Sequence, residues 1–510
     1  MLNGINCMKY WILSIVICIC NFAILAEENR ETALLGAIDI FEQEVMHDIE
    51  EVHVPGIAVV AIHNGSVVYM KGIGYKDWEH SDLITHDTRF RLASISKILT
   101  AVAIMQLWEN GCIDLDAPVI NYLSWFKQKD ETKRWEKITI RHLLNHTSGL
   151  KKDGQIEFWS NNKLLEEGVH PSSEDMIADI INNEMVAEPG KRLKYSNLGY
   201  WVLSQIIIEY GGASGLTRDA KYINYMKENI LKPLHLDDSG YIIEAQDVHK
   251  FAKPYGIFNT STNKRCILPW IYNLGGINAG WGFYSSIKDT SKLLIWLTSA
   301  LQGESTPLLK PDTIKMMTDN LVADPNSSIQ YGFGLQVNND LGYPIIGHGG
   351  WFLGYHSQLY VDAKTGTGIA IFNNAVDILM NKYRNLAFKT IGNTIQGLPP
   401  EVPSISPNIP NAIITKKNTV FSKLVGYYEN IFGKLGIDEN PEGVLIFDIN
   451  GCKLPMYLIN QSSEKIDFRL GWEAPFYYPI GEIVSFYLNT QEEVEYLTIV
   501  GTRAFPVKEK

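Results

Sequence analysis

The chain has 510 residues, of which 45% are hydrophobic and 20% are charged, a balance that excludes an intrinsically disordered protein. The length predicts two or more domains. The net charge of -12 excludes broad nucleic-acid binding, because an acidic surface repels the phosphate backbone.

The N-terminal segment has the pattern of a targeting sequence. Lys9 precedes an apolar run over residues 10–26, which ends at Ala26 before two glutamates. The run is shorter than the roughly 20 residues of a membrane-spanning helix. We expect residues 1–26 to be a cleaved signal peptide and the protein to be exported, to the periplasm or the extracellular space. The alternative is that this segment stays uncleaved and anchors the protein. Membrane contact is expected only in that case.

Three of the six cysteines lie in that segment, and Cys112, Cys266 and Cys452 are left in the mature chain. An odd set at distant positions excludes a disulfide framework. One bridge is possible, but three separate buried thiols are the favoured interpretation. No paired spacing indicates a metal, and we expect neither a metal nor a cofactor.

The first regular elements combine a helix with a hairpin. Apolar residues at helical spacing predict an amphipathic helix over residues 32–51, before Pro55. Two apolar strands, Gly56–His63 and Ser66–Gly72, follow on either side of an Asn-Gly pair, which is a strong hairpin signal. An antiparallel sheet is expected to begin here.

A long apolar stretch starts at Ser94 and stops at an Asn-Gly pair, which predicts a buried central helix. Helical and loop-rich sequence continues to about residue 300. Strands are predicted again at Tyr331–Val337, His356–Val361 and Gly368–Phe372. We therefore expect an α+β fold in which a helical insertion splits an antiparallel sheet.

A proline-rich segment divides the chain near residue 400. Residues 398–415 predict a semi-rigid linker, which leaves residues 27–397 as the main domain. Residues 416–510 alternate apolar and polar side chains in short runs and predict a small antiparallel β domain. Whether this domain restricts access to a site or mediates oligomers is left open.

Ser94 and Lys97 are three residues apart and therefore lie on one face of a helix, within hydrogen-bonding reach. Burial favours the neutral, basic form of a lysine, and the start of a helix favours a developing anion. The Ser-x-x-Lys spacing recurs at Ser124, Ser148, Ser160, Ser261, Ser285 and Ser462. Ser94 differs from these because it follows a strand-like segment and opens a buried helix.

Two further motifs lie at junctions between elements. Tyr195-Ser-Asn197 stands between a turn and an apolar run, where a phenol and an amide often form the wall of a site. Asn197 as a helix N-cap is the structural alternative. Gly347-His-Gly-Gly350 leads into Trp351, and its paired glycines permit close approach of a ligand or only a tight bend.

In this order the three motifs resemble those of the serine β-lactamase and penicillin-binding protein family, specifically its class C-like branch with esterases and D-aminopeptidases. The resemblance covers roughly residues 32–395. It implies a β-lactamase/transpeptidase-like fold with a C-terminal accessory domain. Further segments carry it: Leu92–Lys97, Ile113–Pro118, Ile138–Leu150 and Asn373-Asn374.

The resemblance implies that Ser94 attacks a carbonyl while Lys97 and Tyr195 accept its proton, that Tyr195 protonates the leaving group, and that Asn197 steadies the substrate. The backbone N–H groups of Ser94 and Trp351 would form an oxyanion hole. His348, Gly349 and Gly350 would line the substrate site. We expect a serine hydrolase acting on an ester or amide in a small molecule or peptide. A non-catalytic binding or assembly protein of the same fold is the alternative.

The departure from the family pattern lies at His348, where penicillin-recognising members carry the lysine of Lys-Thr-Gly. A literal Lys364-Thr-Gly366 falls between two predicted strands and is expected in a hairpin turn. An imidazole is mostly neutral at pH 7, so β-lactams rank below short-chain esters and D-amino-acid peptides as substrates. His142 and His146 are predicted to be structural, because the glutamate of a His-Glu-x-x-His metal site is absent.

Overall fold

The structure is a computed structural model. It describes residues 30–51, 53–127, 131–154, 171–182, 184–212, 214–259, 264–268, 270, 272–323, 328–375, 378 and 380–401, and in the C-terminal part residues 424–430, 433–439, 445–449, 452–461, 465–470, 483–489, 493–499 and 502–506. The predicted signal peptide and residues 402–415 of the predicted linker lie outside these ranges. Within them, no helix combines the length and hydropathy that a membrane span needs.

The main domain is built on an antiparallel sheet. Its strands and the two small hairpins beside it are β1 Gly56–His63, β2 Ser66–Asp77, β3 Asp82–Leu83, β4 Arg89–Arg91, β5 Tyr255–Asn259, β6 Lys264–Ile267, β7 Tyr284–Ser286, β8 Val322–Ala323, β9 Ile329–Tyr331, β10 Gln336–Asn338, β11 Ile345–Phe352, β12 Tyr355–Asp362 and β13 Thr367–Asn373. The nine-stranded sheet has the order β3-β2-β1-β13-β12-β11-β10-β9-β8, while β4 pairs with β7 and β5 with β6.

The helices are α1 residues 30–51, α2 Ser96–Glu109, α3 Ile140–Leu144, α4 Ser173–Asn182, α5 Asn197–Tyr210, α6 Arg218–Met226, α7 Asn278–Trp281, α8 Ile287–Leu301, α9 Pro311–Asp319, α10 Met380–Ala387 and α11 Asn393–Ile395. Helices α2 to α9 lie in sequence between β3 and β8, so the two halves of the sheet are joined around a helical insertion. The predicted α+β fold is confirmed.

Both faces of the sheet are covered, which explains why β1 is apolar at nearly every position. Ala58, Val60 and Ile62 belong to the core that contains α2. Their neighbours Ile57, Val59 and Ala61 belong to a second core, on the face covered by α1 and α10. Helix α2 is buried from Ser96 through Met105, as its apolar sequence predicts. It therefore supports the site from inside the domain.

The prediction of one continuous strand over Tyr331–Val337 is wrong. The chain forms two short strands, β9 and β10, joined by a turn in which Gly332 N–H bonds to Leu335 O at 2.8 Å. Gly334 adopts a φ of 73°, and a Cβ there would lie 2.7 Å from the carbonyl oxygen of Lys97. The turn is thus pressed against the first turn of α2, and glycine is needed for both the backbone angle and the close approach.

The C-terminal β unit is an eight-stranded closed barrel with strands in sequential order. Residues of β14 and β21 pair to close it, as in Glu429 with Phe505. The sequence predicts antiparallel strands here but not the closure of the barrel. The strands are β14 Gly426–Asn430, β15 Gly433–Glu439, β16 Leu445–Ile449, β17 Cys452–Gln461, β18 Lys465–Leu470, β19 Ile483–Leu488, β20 Val494–Ile499 and β21 Thr502–Pro506.

Cys112 and Cys266 are free thiols, as expected, but both are exposed. The prediction that they are buried is therefore wrong. Cys112 follows the C-terminal turn of α2, and Cys266 lies in the short hairpin strand β6. Both positions are at the edge of the domain, where the surrounding chain does not cover them.

Candidate active site

Ser94 lies in a single 3-10 turn, Ala93–Ile95, between β4 and α2. The regular helix begins at Ser96, two residues later than the sequence predicts for its opening. Ala93 has a φ of 49°, a strained backbone angle for a residue with a Cβ. The turn is held by Ser96, whose Oγ donates to Ala93 O at 2.6 Å and accepts from Phe283 N–H at 3.0 Å. The position of Ser94 is thus fixed by neighbours on both sides.

Lys97 projects from the first turn of α2 and is completely buried. Its Nζ donates to Ser94 Oγ at 3.1 Å and to Gly280 O at 3.0 Å. Burial lowers the pKa of Lys97 well below its ordinary value, while the negative charge of Asp153 opposes the shift. The geometry therefore provides an amine that can be neutral next to a serine hydroxyl.

Tyr195 stands on the other side of the same hydroxyl. Its phenolic OH donates to Ser94 Oγ at 2.9 Å, and its ring lies 4.9 Å from Lys97 Nζ. Burial raises the pKa of Tyr195 above its ordinary value, with the bond to Ser94 acting in the opposite direction. The resting side chain is therefore a phenol that carries a transferable proton.

Asn197 is the first residue of α5, but it is not the helix cap. Ser196 is the N-cap, because its side chain accepts from Gly199 N–H at 3.1 Å. Asn197 Nδ2 donates to Asp153 Oδ1 at 2.7 Å. Its Oδ1 is buried and has no hydrogen-bond partner within the described residues. That oxygen is a free acceptor beside the Ser94 cluster.

His348 lies on β11 and is 1% exposed. Its Nδ1 faces Gly349 O at 2.5 Å and its Nε2 faces Tyr331 OH at 2.7 Å. A carbonyl oxygen only accepts, so Nδ1 carries the proton and Nε2 accepts from the phenol. Burial lowers the pKa of His348 to about 3, and a positive charge on Lys97 would act in the same direction. The imidazole is neutral, and both of its nitrogens are engaged within the protein.

Gly350 lets β11 approach the nucleophile turn, and Gly349 leaves room for a side chain of the adjacent strand. A Cβ on Gly350 would lie 2.1 Å from Leu92 O, and one on Gly349 would lie 2.9 Å from Gln358 Nε2. Ser357 Oγ on the adjacent strand donates to the same Leu92 carbonyl at 2.8 Å. Trp351 follows on β11 and is half-buried. Close packing of this strand against the Ser94 segment therefore requires glycine.

The family model for β-lactamase matches residues 41–386, the region that contains all of these groups. The chain belongs to the β-lactamase family. Similar curated proteins include protein flp of Staphylococcus aureus, which is 26% identical over 339 residues. That alignment covers 65% of this chain and 61% of the relative, so the chain spans less than two thirds of the relative's length.

Two solved structures share the family fold. The octameric penicillin-binding protein homologue from Pyrococcus abyssi is 24% identical, with a TM-score of 0.59, and the match covers 92% of this chain and 99% of that one. The D-stereospecific amidohydrolase from Streptomyces sp. is 25% identical, with a TM-score of 0.52, over 66% and 93%. Both similarities agree with the family fold that the β-lactamase model assigns to the chain.

The structure also brings together residues that the sequence motifs do not contain. Gly280 O binds Lys97, Asp153 Oδ1 binds Asn197, and Tyr331 binds His348. Gly280 lies 183 residues from Lys97 and Tyr331 lies 17 residues from His348, and no local pattern marks either of them. Asp153 lies three residues after the family landmark Ile138–Leu150, and this position of an acidic side chain is the one available sequence signal.

The remaining motifs have different surroundings, and one of their residues, His146, packs against the Ser94 cluster. Lys364-Thr-Gly366 belongs to the turn between β12 and β13, as predicted. His142 caps α3 by accepting from Thr139 N–H through Nδ1 at 3.2 Å. His146 is buried behind Tyr195, with ring centroids 4.3 Å apart. The two histidines therefore have separate surroundings.

Proposed function

We propose that this protein is a serine hydrolase that cleaves an ester or amide bond through an acyl-enzyme on Ser94. One observation carries the proposal: Ser94 Oγ lies 3.1 Å from Lys97 Nζ and 2.9 Å from Tyr195 OH. A hydroxyl held by one candidate base and one candidate acid has what acyl transfer requires.

The opposite pKa shifts support a division of the two proton-transfer roles. Neutral Lys97 accepts the Ser94 proton as the bond between Oγ and the substrate carbonyl carbon forms. Phenolic Tyr195 gives its proton to the departing nitrogen or oxygen as the scissile bond breaks, and it recovers a proton from Lys97. Water then attacks the acyl ester, which releases the acid and restores the Ser94 hydroxyl. In the sequence-based expectation, both Lys97 and Tyr195 accept the Ser94 proton. Here we propose that Lys97 alone accepts it.

The site favours substrates without a carboxylate at the position facing β11. His348 is neutral, and its single N–H donates to Gly349 O, so it offers neither a cation nor a free donor. Short-chain esters and amides or peptides of D-amino acids therefore rank ahead of β-lactams. The similarity to a D-stereospecific amidohydrolase supports the amide class.

Asn197 adds to the case for an amide substrate. Its buried Oδ1 accepts no hydrogen bond from the described residues, and leaving a buried acceptor unpaired costs about 1–3 kcal/mol. An N–H group of the substrate would satisfy it. An ester without such a donor would bind less well, provided that the rest of the substrate is the same.

The experiment compares hydrolysis of p-nitrophenyl acetate, D-alanine p-nitroanilide and a chromogenic cephalosporin by the chain from residue 27 onward. Ser94→Ala is expected to lower kcat by at least about 10³-fold, because the nucleophile is lost. Ser124→Ala is the matched control, since Ser124 has the same spacing to a lysine but is exposed. Equal rates for wild type and Ser94→Ala would favour the non-catalytic binding protein.

A further inference from the structure

His146 clamps the backbone on both sides of Tyr195. Its carbonyl oxygen accepts from Lys194 N–H at 2.7 Å, and its ring Nδ1 accepts from Ser196 N–H at 3.1 Å. A single buried residue therefore holds the backbone amides immediately before and after the tyrosine. No other part of the proposed chemistry uses this histidine.

The imidazole also supports the Tyr195 ring directly. The ring centroids of His146 lie 4.3 Å from Tyr195, 4.4 Å from Tyr331 and 5.0 Å from Tyr200. His146 is 0% exposed. Because the rings are closely packed on several sides, a change in the imidazole is passed on to the phenol.

The hydrogen bond to Ser196 determines the protonation state of His146. A backbone N–H only donates, so Nδ1 carries no proton and the neutral ring is protonated at Nε2. That Nε2 has no hydrogen-bond partner within the described part of the chain. A second proton would have to enter at Nδ1, and it would break the contact with Ser196. Burial lowers the pKa of His146 well below its ordinary value, and a positive charge on Lys97, His348 or Lys194 would act in the same direction.

The backbone shows that the placement has a cost. His146 has a φ of 58°, in the left-handed region, which costs of the order of 1–2 kcal/mol for a residue with a Cβ. This angle turns the chain after α3 so that both the carbonyl and the ring face the Tyr195 segment. Asparagine, like histidine, adopts this angle more often than most residues with side chains do.

We infer that His146 is a positioning residue that holds the Tyr195 hydroxyl in contact with Ser94 Oγ, at the observed 2.9 Å. The inference rests on the proposed hydrolase function. His146 does not touch the reacting atoms and acts through the tyrosine. A side chain that lacks either the Nδ1 acceptor or the ring should leave the phenol misplaced.

Two variants separate these contributions. His146→Phe keeps a ring but leaves Ser196 N–H without its acceptor. His146→Asn keeps an acceptor near the Nδ1 position and accepts the backbone angle, but it removes the ring. We expect kcat to fall about 10²-fold in His146→Phe and about tenfold in His146→Asn, with KM within threefold, because a 1 Å misplacement has effects of this size. The alkaline limb of the pH profile, on which Tyr195 must stay protonated, should shift in both variants.

His142→Asn is the control, because His142 lies in α3 of the same segment and caps that helix. It should lose thermal stability while keeping kcat and the pH profile. Crystal structures of the variants add a readout that needs no substrate: the distance from Tyr195 OH to Ser94 Oγ should exceed hydrogen-bonding range.

The outcomes distinguish this inference from the proposed function. If wild type turns over substrate and His146→Asn keeps the wild-type kcat, pH profile and 2.9 Å contact, the positioning role is wrong and the hydrolase stands. If wild type itself does not turn over, the proposed function fails, and the variant structures still decide whether His146 places the phenol. His146→Asn decides the question even if His146→Phe does not fold.

Discussion

The Tyr331 OH donates a hydrogen bond to His348 Nε2 at 2.7 Å, and this contact limits the hydrogen bonds that His348 can offer to a substrate. The other nitrogen already donates to Gly349 O, so the imidazole has no polar atom left for a substrate. The family lysine at this position would present a cation. The charge of the side chain at position 348 therefore affects which class of substrate the site can bind.

Replacing His348 by lysine should move substrate preference toward carboxylates. For His348→Lys we expect the ratio of kcat/KM between D-Ala-D-Ala and its C-terminal amide to rise about tenfold, the worth of one charged hydrogen bond. His348→Gln, which is neutral, should not raise this ratio. An unchanged ratio in His348→Lys would contradict the role given to position 348.

Lys97 should lower the stability of the fold at neutral pH. In the folded protein the pKa of Lys97 is well below the ordinary value of 10.5. At a pH between the folded-state pKa and 10.5, Lys97 is protonated in the unfolded chain and neutral in the folded one. Stability contributed by this position therefore rises with pH across that window and is lowest below it.

Lys97→Met should consequently abolish activity but raise the free energy of unfolding at pH 7 by about 1–3 kcal/mol. The gain should shrink as the pH approaches 10.5, the ordinary lysine pKa. Urea unfolding at several pH values measures this, and Lys232→Met, at an exposed pair with Glu228, is the control. A less stable Lys97→Met at pH 7 would contradict the account.

Asp153 should set the acid limb of the pH profile. Its negative charge raises the pKa of Lys97 against the effect of burial. Asp153→Asn retains an acceptor for Asn197 but removes the charge, so the pKa of Lys97 should fall and the acid limb of kcat/KM should move to lower pH. Glu174→Gln, at an exposed position on α4, should leave the limb in place. A shift to higher pH would show that another group controls it.

Gly350 should not accept a side chain. A Cβ there would lie 2.1 Å from Leu92 O and 2.4 Å from Ser357 Oγ, so Gly350→Ala must push β11 away from the nucleophile turn. We expect a loss of about 1–3 kcal/mol in stability and at least tenfold lower kcat. Gly36→Ala on α1, where a Cβ meets nothing within 4 Å, should be neutral or slightly stabilising. Wild-type kcat in Gly350→Ala would contradict the close packing.

The contact of Lys97 with Ser94 could be predicted from a local sequence signal, whereas the contact of Tyr195 with Ser94 follows only from the family resemblance. The spacing of Lys97 places it one helical turn from the serine, and the junction motif places Tyr195 and Asn197 at the start of α5. Alternating and continuous apolar runs likewise predict the central strands and α2. These signals need only short-range geometry.

The rest depends on contacts between distant segments. The carbonyl of Gly280, the phenol of Tyr331 and the clamp formed by His146 arise when α7, β9 and the segment after α3 pack around α2, and no spacing in the sequence encodes that packing. The turn between β9 and β10 cannot be predicted locally, because its glycines lie in an otherwise strand-like run. Closure of the barrel depends on pairing of β14 with β21, at opposite ends of the C-terminal unit.

The most direct test of the central claim is intact-mass detection of an acyl adduct, with peptide mapping, after rapid quenching of wild type, Ser94→Ala and Ser124→Ala with p-nitrophenyl acetate. The account predicts one added acetyl group on wild type and Ser124→Ala, mapped to Ser94, and none on Ser94→Ala. An adduct of equal yield on Ser94→Ala, or an adduct mapped to another residue of wild type, would contradict it.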